Sequence, residues 1–239
     1  MILYGRNPVR EALRGRRSKQ VQEVWASAGA AREPWLAGVP VRTVAAEEIE
    51  RRCGSSAHQG VCAQAGPYRY AHVDELLARA QPLLVALDQV QDPQNLGAIC
   101  RTAECVGAAG LVIPERRAAE VTAAVCKASA GAVEHLPVAR VRNMADFLAD
   151  ARRSDCWCYG ASTGAVGGRA PVPYDALDYA GAGVVLVLGS EGSGLRPRVA
   201  GACDELIALP ALGRVGSLGV SAAAAALLYE ILQKRGGRT

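Results

Sequence analysis

Within residues 183–230 the chain twice runs from an uninterrupted apolar segment into a loop of small residues. The first run is GVVLVLGSEGSGL; the second is ELIALPALGRVGSLGVSAAAAALLYE, whose loop leads into an Ala-rich helix. Strands that are apolar on both faces belong in a sheet covered on both sides, and α/β folds bind small molecules at the loops leaving such strands. Two such loops point to one shared pocket.

The first loop, Gly189-Ser190-Glu191-Gly192-Ser193-Gly194, has no lysine, and its one ionisable residue is a carboxylate. Glu191 repels a nucleotide phosphate, and the glycines fall as G-x-x-G-x-G, not in the dinucleotide spacing G-x-G-x-x-G. A ligand bearing positive charge fits better, the structural alternative being a turn that needs several left-handed residues. Upstream, LLVALDQVQDPQN lacks the glycine-rich turn of a Rossmann cofactor site. Metalloprotease and nucleotide triphosphatase readings have no residues to rest on, because the chain has no H-E-x-x-H and no Walker lysine.

LGSEGSGL followed by LPALGRVGSLGVSAAA resembles the second and third motifs of the SpoU-type RNA 2′-O-ribose methyltransferases. Asp92-Pro93-Gln94-Asn95-Leu96-Gly97-Ala98-Ile99-Cys100-Arg101-Thr102-Ala103 resembles the first. The resemblance implies an α/β fold with a mostly parallel sheet tied in a deep trefoil knot, which holds S-adenosylmethionine through its cationic sulfonium and needs no metal. It also implies roles for single residues: Asn95 and Glu191 position the catalytic groups, Arg101 meets the ribose being methylated, and Ser217 and Ser221 line the loop holding methionine and ribose. The adenosyl moiety is expected on backbone near Leu188, Gly189, Gly194, Leu209 and Leu218. Family members build each site at a two-fold interface, so a homodimer is expected, the Ala-rich helix over 221–232 offering small residues for close packing. One departure stands out: the family's Ser-Leu-Asn-Val-Ser is here Ser217-Leu218-Gly219-Val220-Ser221, with the asparagine amide gone.

On their own, the first-motif residues leave structural alternatives open. Asn95 sits where its side chain caps a helix beginning at Leu96. Arg101 lies in an otherwise apolar stretch and needs a partner or a ligand, Glu104 being the structural candidate. A guanidinium stays protonated and is a poor base, so Arg101 is expected to orient the ribose and its phosphate and to stabilise charge developing on the oxygen.

Alternation of strand and helix continues through residues 81–239, with strands expected near 83–87, 111–113, 138–141, 156–161, 184–188 and 206–209. Helices are expected near 95–106, 115–131, 143–152 and 219–235. Residues 1–66 read as a separate small α/β unit, with helices near 8–14 and 45–52 and strands near 21–26, 39–44 and 60–65; residues 67–80 are a linker. YGRNPVREAL and HQGVCAQ resemble the N-terminal RNA-binding extension of the bacterial ribosomal-RNA guanosine branch of the family. Charge agrees: the net +4 of the chain resides in residues 1–80, and residues 1–20 hold six positive side chains against one negative. Arg6, Arg10, Arg14 and Arg17 are the candidate phosphate contacts, a solvated helix face being the alternative. Ribosomal RNA is the expected partner; transfer RNA, a resistance-type ribosomal site, or a binding protein weakened in catalysis by Gly219 are the alternatives.

His58, Tyr68 and Tyr70 are further candidates for RNA contact, each with packing as its alternative. The eight cysteines form no C-x-x-C pair, and Cys156-Trp157-Cys158 points both thiols to one face of a strand. Free thiols, no signal-peptide layout and no apolar run near ~18 residues lead to the expectation of a cytoplasmic protein with no membrane partner.

Overall fold

A computed structural model of the chain describes residues 1–214 and 216–236, so Val215 of the third motif lies outside the described residues. The N-terminal unit consists of β1 (Ile2–Tyr4), α1 (Arg6–Arg14), β2 (Val21–Ala26), β3 (Val41–Thr43), α2 (Ala46–Cys53) and β4 (Val61–Ala65). Its sheet runs β1-β4-β2-β3, with β4 antiparallel to both neighbours and β3 parallel to β2. α1 buries Pro8, Val9 and Ala12 and tolerates Pro8 because first-turn N–H groups have no intrahelical acceptor.

The helix begins two residues earlier than the pattern suggested, and it ends before Arg17. Arg17 therefore does not share an outward helical face with Arg10 and Arg14. Its side chain is buried, with Nε 2.8 Å from Oε2 of Glu134 and Nη2 on Oε1. A phosphate cannot reach a guanidinium already enclosed by a carboxylate, which removes Arg17 from the candidate RNA contacts.

After α3 (Val73–Leu77), the second unit runs β5 (Leu83–Asp88), α4 (Pro93–Cys105), β6 (Gly110–Pro114), α5 (Ala123–Ala128), β7 (Val138–Val141) and α6 (Met144–Arg153). It continues through β8 (Cys156–Ala161), β9 (Val172–Pro173), β10 (Gly183–Gly189), α7 (Pro197–Ala202), β11 (Glu205–Ala208) and α8 (Val220–Lys234). All pairings in the order β7-β6-β5-β10-β8-β11-β9 are parallel. Every residue of β5 and β6 is buried, as a sheet covered on both faces requires. Alternate residues serve opposite layers: Leu83, Val85 and Leu87 pack with residues of α4 and α8, while Leu84 and Ala86 pack with residues of α6 and α7. The first of these cores runs on without a break into Leu3, Val9 and Ala12 of the N-terminal unit.

β10 enters between β5 and β8, both earlier in the chain, and β11 lies beyond β8, yet α8 returns to pack on α4 and β10.

The expected helix over 115–131 is much shorter. Arg117 adopts φ 59, Ala119 N bonds the Val90 carbonyl and Val121 N donates to the Tyr70 hydroxyl at 3.0 Å, so tertiary hydrogen bonds hold this stretch out of a helix until α5 begins. The same bond fixes the linker: Tyr68 donates to the carbonyls of Val133 and Leu136, and Ala71 bridges Ala139 of β7. Both tyrosines are packing residues, and His58 likewise accepts the Gly60 N–H through Nδ1 at 2.9 Å within its own turn.

Cys156 and Cys158 are buried while Trp157 between them is exposed. Burial pushes Cys62 up to about 11 and Cys100, Cys126 and Cys203 up to about 12, which suits inert core thiols and not thiolate chemistry.

Candidate active site

Three adjacent parallel strands, β8, β10 and β11, end at one edge of the sheet, and the segments leaving them surround a cavity of about 610 Å³. Leu188, Gly189, Glu191, Gly194, Leu209, Ser217 and Leu218 all line it, although they come from two separate stretches of sequence. A smaller cavity of about 330 Å³, lined by Trp157, Tyr159 and Tyr179, contains none of the sequence-predicted residues.

The loop after β10 closes on itself through backbone hydrogen bonds exchanged between Ser190 and Gly194 at 3.1 and 3.0 Å. A Cβ at Gly189 would stand 2.1 Å from the Gly194 carbonyl carbon, so this turn admits no side chain there. Glu191 is exposed near its tip, the one charged residue lining the cavity among the described residues.

α4 delivers the first motif. Its cap is Asp92, whose carboxylate accepts from the backbone N–H groups of Gln94 and Asn95, both at 3.1 Å, with Pro93 in the first turn. Asn95 is therefore inside the helix and not its cap. Its side-chain Nδ2 is freed to donate to Asp92 Oδ2 at 2.9 Å and to Glu191 Oε1. Further along α4, Arg101 is exposed and has no hydrogen-bond or ion-pair partner among the described residues; Glu104 does not pair with it. Neither Arg101 nor Ser221, in the first turn of α8, lines the cavity. Gly219 does, with φ 77 and ψ 149, immediately before α8.

Sequence reasoning missed the third wall. Ser162 to Val166, leaving β8, line the cavity as well. Arg169 ties this segment down by donating to the carbonyls of Ala200, Cys203 and Asp204 at 3.0, 2.8 and 2.6 Å. The signal was present: CWCYGASTGAVGG is a third apolar strand running into small residues. Also missed was the contact of buried Asp88 with Arg196.

Among the N-terminal arginines, Arg6 pairs with Glu33 at 2.8 Å and Arg10 with Glu11 at 2.6 Å, whereas Arg14 is exposed with no partner among the described residues.

Residues 82–229 match the model of the SpoU rRNA Methylase family, and residues 2–71 match that of the RNA 2′-O ribose methyltransferase substrate-binding domain. YacO of Bacillus subtilis, named as a TrmH-family tRNA/rRNA methyltransferase, is 41% identical over 209 residues, 83% of this chain and 79% of that protein. Among solved structures, the AdoMet-bound rRNA methyltransferase from Sinorhizobium meliloti aligns with a TM-score of 0.81 at 26% identity, over 97% of this chain and 86% of that one. AviRb, the SpoU methyltransferase from Streptomyces viridochromogenes in complex with AdoMet, aligns with a TM-score of 0.80 at 25% identity, over 100% of this chain and 91% of that one.

Proposed function

The chain belongs to the SpoU rRNA methylase family and is an S-adenosylmethionine-dependent RNA methyltransferase; from that premise we propose that it methylates a ribose 2′-hydroxyl, in a guanosine of large-subunit ribosomal RNA. The observation that carries this reading is the contact of Asn95 with Glu191, which ties the helix of the unpaired Arg101 to the wall of the cavity.

The cavity fits the cofactor. Its volume of about 610 Å³ suits a small-molecule site, its apolar lining includes Leu188, Ile207, Leu209 and Leu227, and its one charged side chain among the described residues is a carboxylate. Glu191 and the backbone of its loop would hold the cationic end, and the aliphatic side chains would flank the adenine. When bound, the cofactor supplies an electrophilic methyl carbon on a sulfonium.

The rest is the work of the protein's own residues. Asn95 fixes Glu191 through the hydrogen bond it donates. Arg101, which has no carboxylate partner among the described residues, binds the phosphate next to the target ribose, turns the 2′-oxygen toward the cavity and stabilises the charge that grows as the proton leaves. A guanidinium cannot take that proton, so water or phosphate accepts it. Arg6, Arg10 and Arg14 provide sequence-independent phosphate contacts on the N-terminal unit.

We also propose a homodimer. On α8, Ala222, Ala226 and Tyr229 form an exposed apolar stripe, and Leu218 beside it is exposed as well. Sedimentation at micromolar concentration reads this directly, and an active monomer would rule it out.

A second reading, a cofactor- and RNA-binding protein with little turnover, is favoured by Gly219. Methyl transfer from labelled cofactor to ribosomal RNA and to transfer RNA, followed by mapping of 2′-O-methyls, tests both. Methylation of transfer RNA alone would overturn the substrate assignment, and binding of cofactor and RNA without transfer would establish the second reading.

A further inference from the structure

Asp88, the last residue of β5, is buried so completely that its side chain has no exposure. In the parallel ladder it stands opposite Gly189, the last residue of β10. Its carboxylate reaches past that strand end to Arg196, accepting from the backbone N–H at 3.1 Å, from Nε at 2.9 and 3.1 Å, and from Nη2 at 2.6 Å. Both ends of the 190–195 loop are therefore fixed to a single residue, Gly189 through the sheet and Arg196 through the side chain.

A second route leads from Asp88 to the same loop. The chain continues to Asp92, which caps α4 and accepts from Asn95 Nδ2 at 2.9 Å, and Asn95 donates in turn to Glu191. Covalent and hydrogen-bonded links thus close a ring through Asp88, Asp92, Asn95, Glu191 and Arg196.

Stability alone does not call for this pair, since well-packed apolar replacements of buried ion pairs are often neutral or better. What apolar contact cannot supply is direction. A guanidinium fork on a carboxylate fixes angle as well as distance, and here it fixes the residue at which the cofactor loop turns into α7. We propose that Asp88 and Arg196 are a positioning pair, which holds the Glu191 loop in register with Asn95 and so sets the geometry of methyl transfer. The proposal rests on the reading of this cavity as the methyl-transfer site; neither residue lines the cavity.

Two measurements test it on the full-length protein. In Asp88→Asn and, in case that variant folds poorly, in the partly exposed Arg196→Lys, hydrogen exchange across 190–195 should quicken severalfold while exchange in β11 stays unchanged. Unchanged exchange at 190–195 would overturn the proposal even if the protein transferred no methyl group to any RNA, so its failure is separable from that of the proposed function. The second measurement is a cycle with Glu191→Gln. Either clamp substitution should lower kcat about ten- to a hundredfold in the wild-type background, and less than about twofold once Glu191 is already changed. Equal factors in both backgrounds would mean that the pair acts on the fold in general and not through Glu191.

Discussion

Arg17 of the N-terminal unit closes on Glu134 of the second unit, with Nε 2.8 Å from Oε2 and both side chains almost wholly out of solvent. The pair sits where the two units share one hydrophobic core, and Arg17 also donates to the Gly66 carbonyl at 3.3 Å, at the start of the linker. Arg17→Ala leaves a buried carboxylate unpaired, a loss on the order of 3–5 kcal/mol that should lower Tm by about 10 °C in a chain of this size. Replacing both partners by apolar residues should recover most of it. A single variant as stable as the wild type would show that water readily enters this seam.

The acid limb of stability should involve Glu11. Burial pushes its carboxyl up, but hydrogen bonds from Arg10 and from His135, whose Nε2 is 2.9 Å away, more than reverse this and leave it below the usual value. A group whose pKa is lowered on folding stabilises above its unfolded value and loses that contribution as pH falls through the folded one. Glu11→Gln should therefore flatten the stability profile below about pH 4.5 while changing its slope little near neutrality. Denaturant melts at a series of pH values provide the comparison, and an equally steep acid limb in the variant would remove Glu11 from the account.

RNA binding should respond to the arginines unequally. Arg14 has no partner among the described residues, whereas Arg6 and Arg10 must first leave Glu33 and Glu11. Substituting Arg14 should weaken binding at every sequence and reduce the log–log salt slope by about 0.7–0.9, and adding Arg10→Ala should reduce it further. Cofactor affinity is the internal control. An unchanged slope in the double variant would make this face merely solvated.

Arg101→Ala should nearly abolish methyl transfer while leaving cofactor affinity within about threefold, because the side chain does not line the cavity. Stability should barely change, since an exposed side chain without a partner has little to lose on truncation. A cofactor affinity that collapses with activity would make Arg101 part of the cofactor site's scaffold.

Periodicity and apolar runs made the parallel sheet legible, because strands covered on both faces leave an unmistakable pattern in VVLVL and LLVAL. Motif order located the cavity residues from β10 to Leu218. What was hidden depends on partners distant in sequence. Arg17 looks like one more basic residue until Glu134 arrives from the other unit, and Asn95 looks like a cap until Asp92 takes that position. The 115–121 stretch has helical composition, but its backbone bonds go to Val90 and Tyr70, a decision no local window contains. Asp88 and Arg196 were invisible for the same reason, being 108 positions apart.

Gly219 decides between slow enzyme and binding protein, and its conformation alters what a substitution can reveal. With φ 77 and ψ 149 it occupies a backbone region nearly closed to other residues, although a Cβ there would meet nothing within 4 Å. Space is available; the backbone is the obstacle. Restoring the family's amide by Gly219→Asn therefore carries a strain of about 1–3 kcal/mol, against a net gain of roughly 0.5–1.5 kcal/mol for one neutral hydrogen bond. The expected result is weaker cofactor binding, by about fivefold at the middle of these ranges, without a rise in kcat. Gly219→Ala carries the same backbone strain and no amide, so the difference between the two variants isolates the amide itself. A Gly219→Asn protein that keeps its cofactor affinity and turns over faster than both Gly219→Ala and the wild type would show that the missing amide limits the rate. If, instead, the wild type binds cofactor and ribosomal RNA but transfers nothing, and Gly219→Asn alone restores transfer, this position is where catalysis was lost.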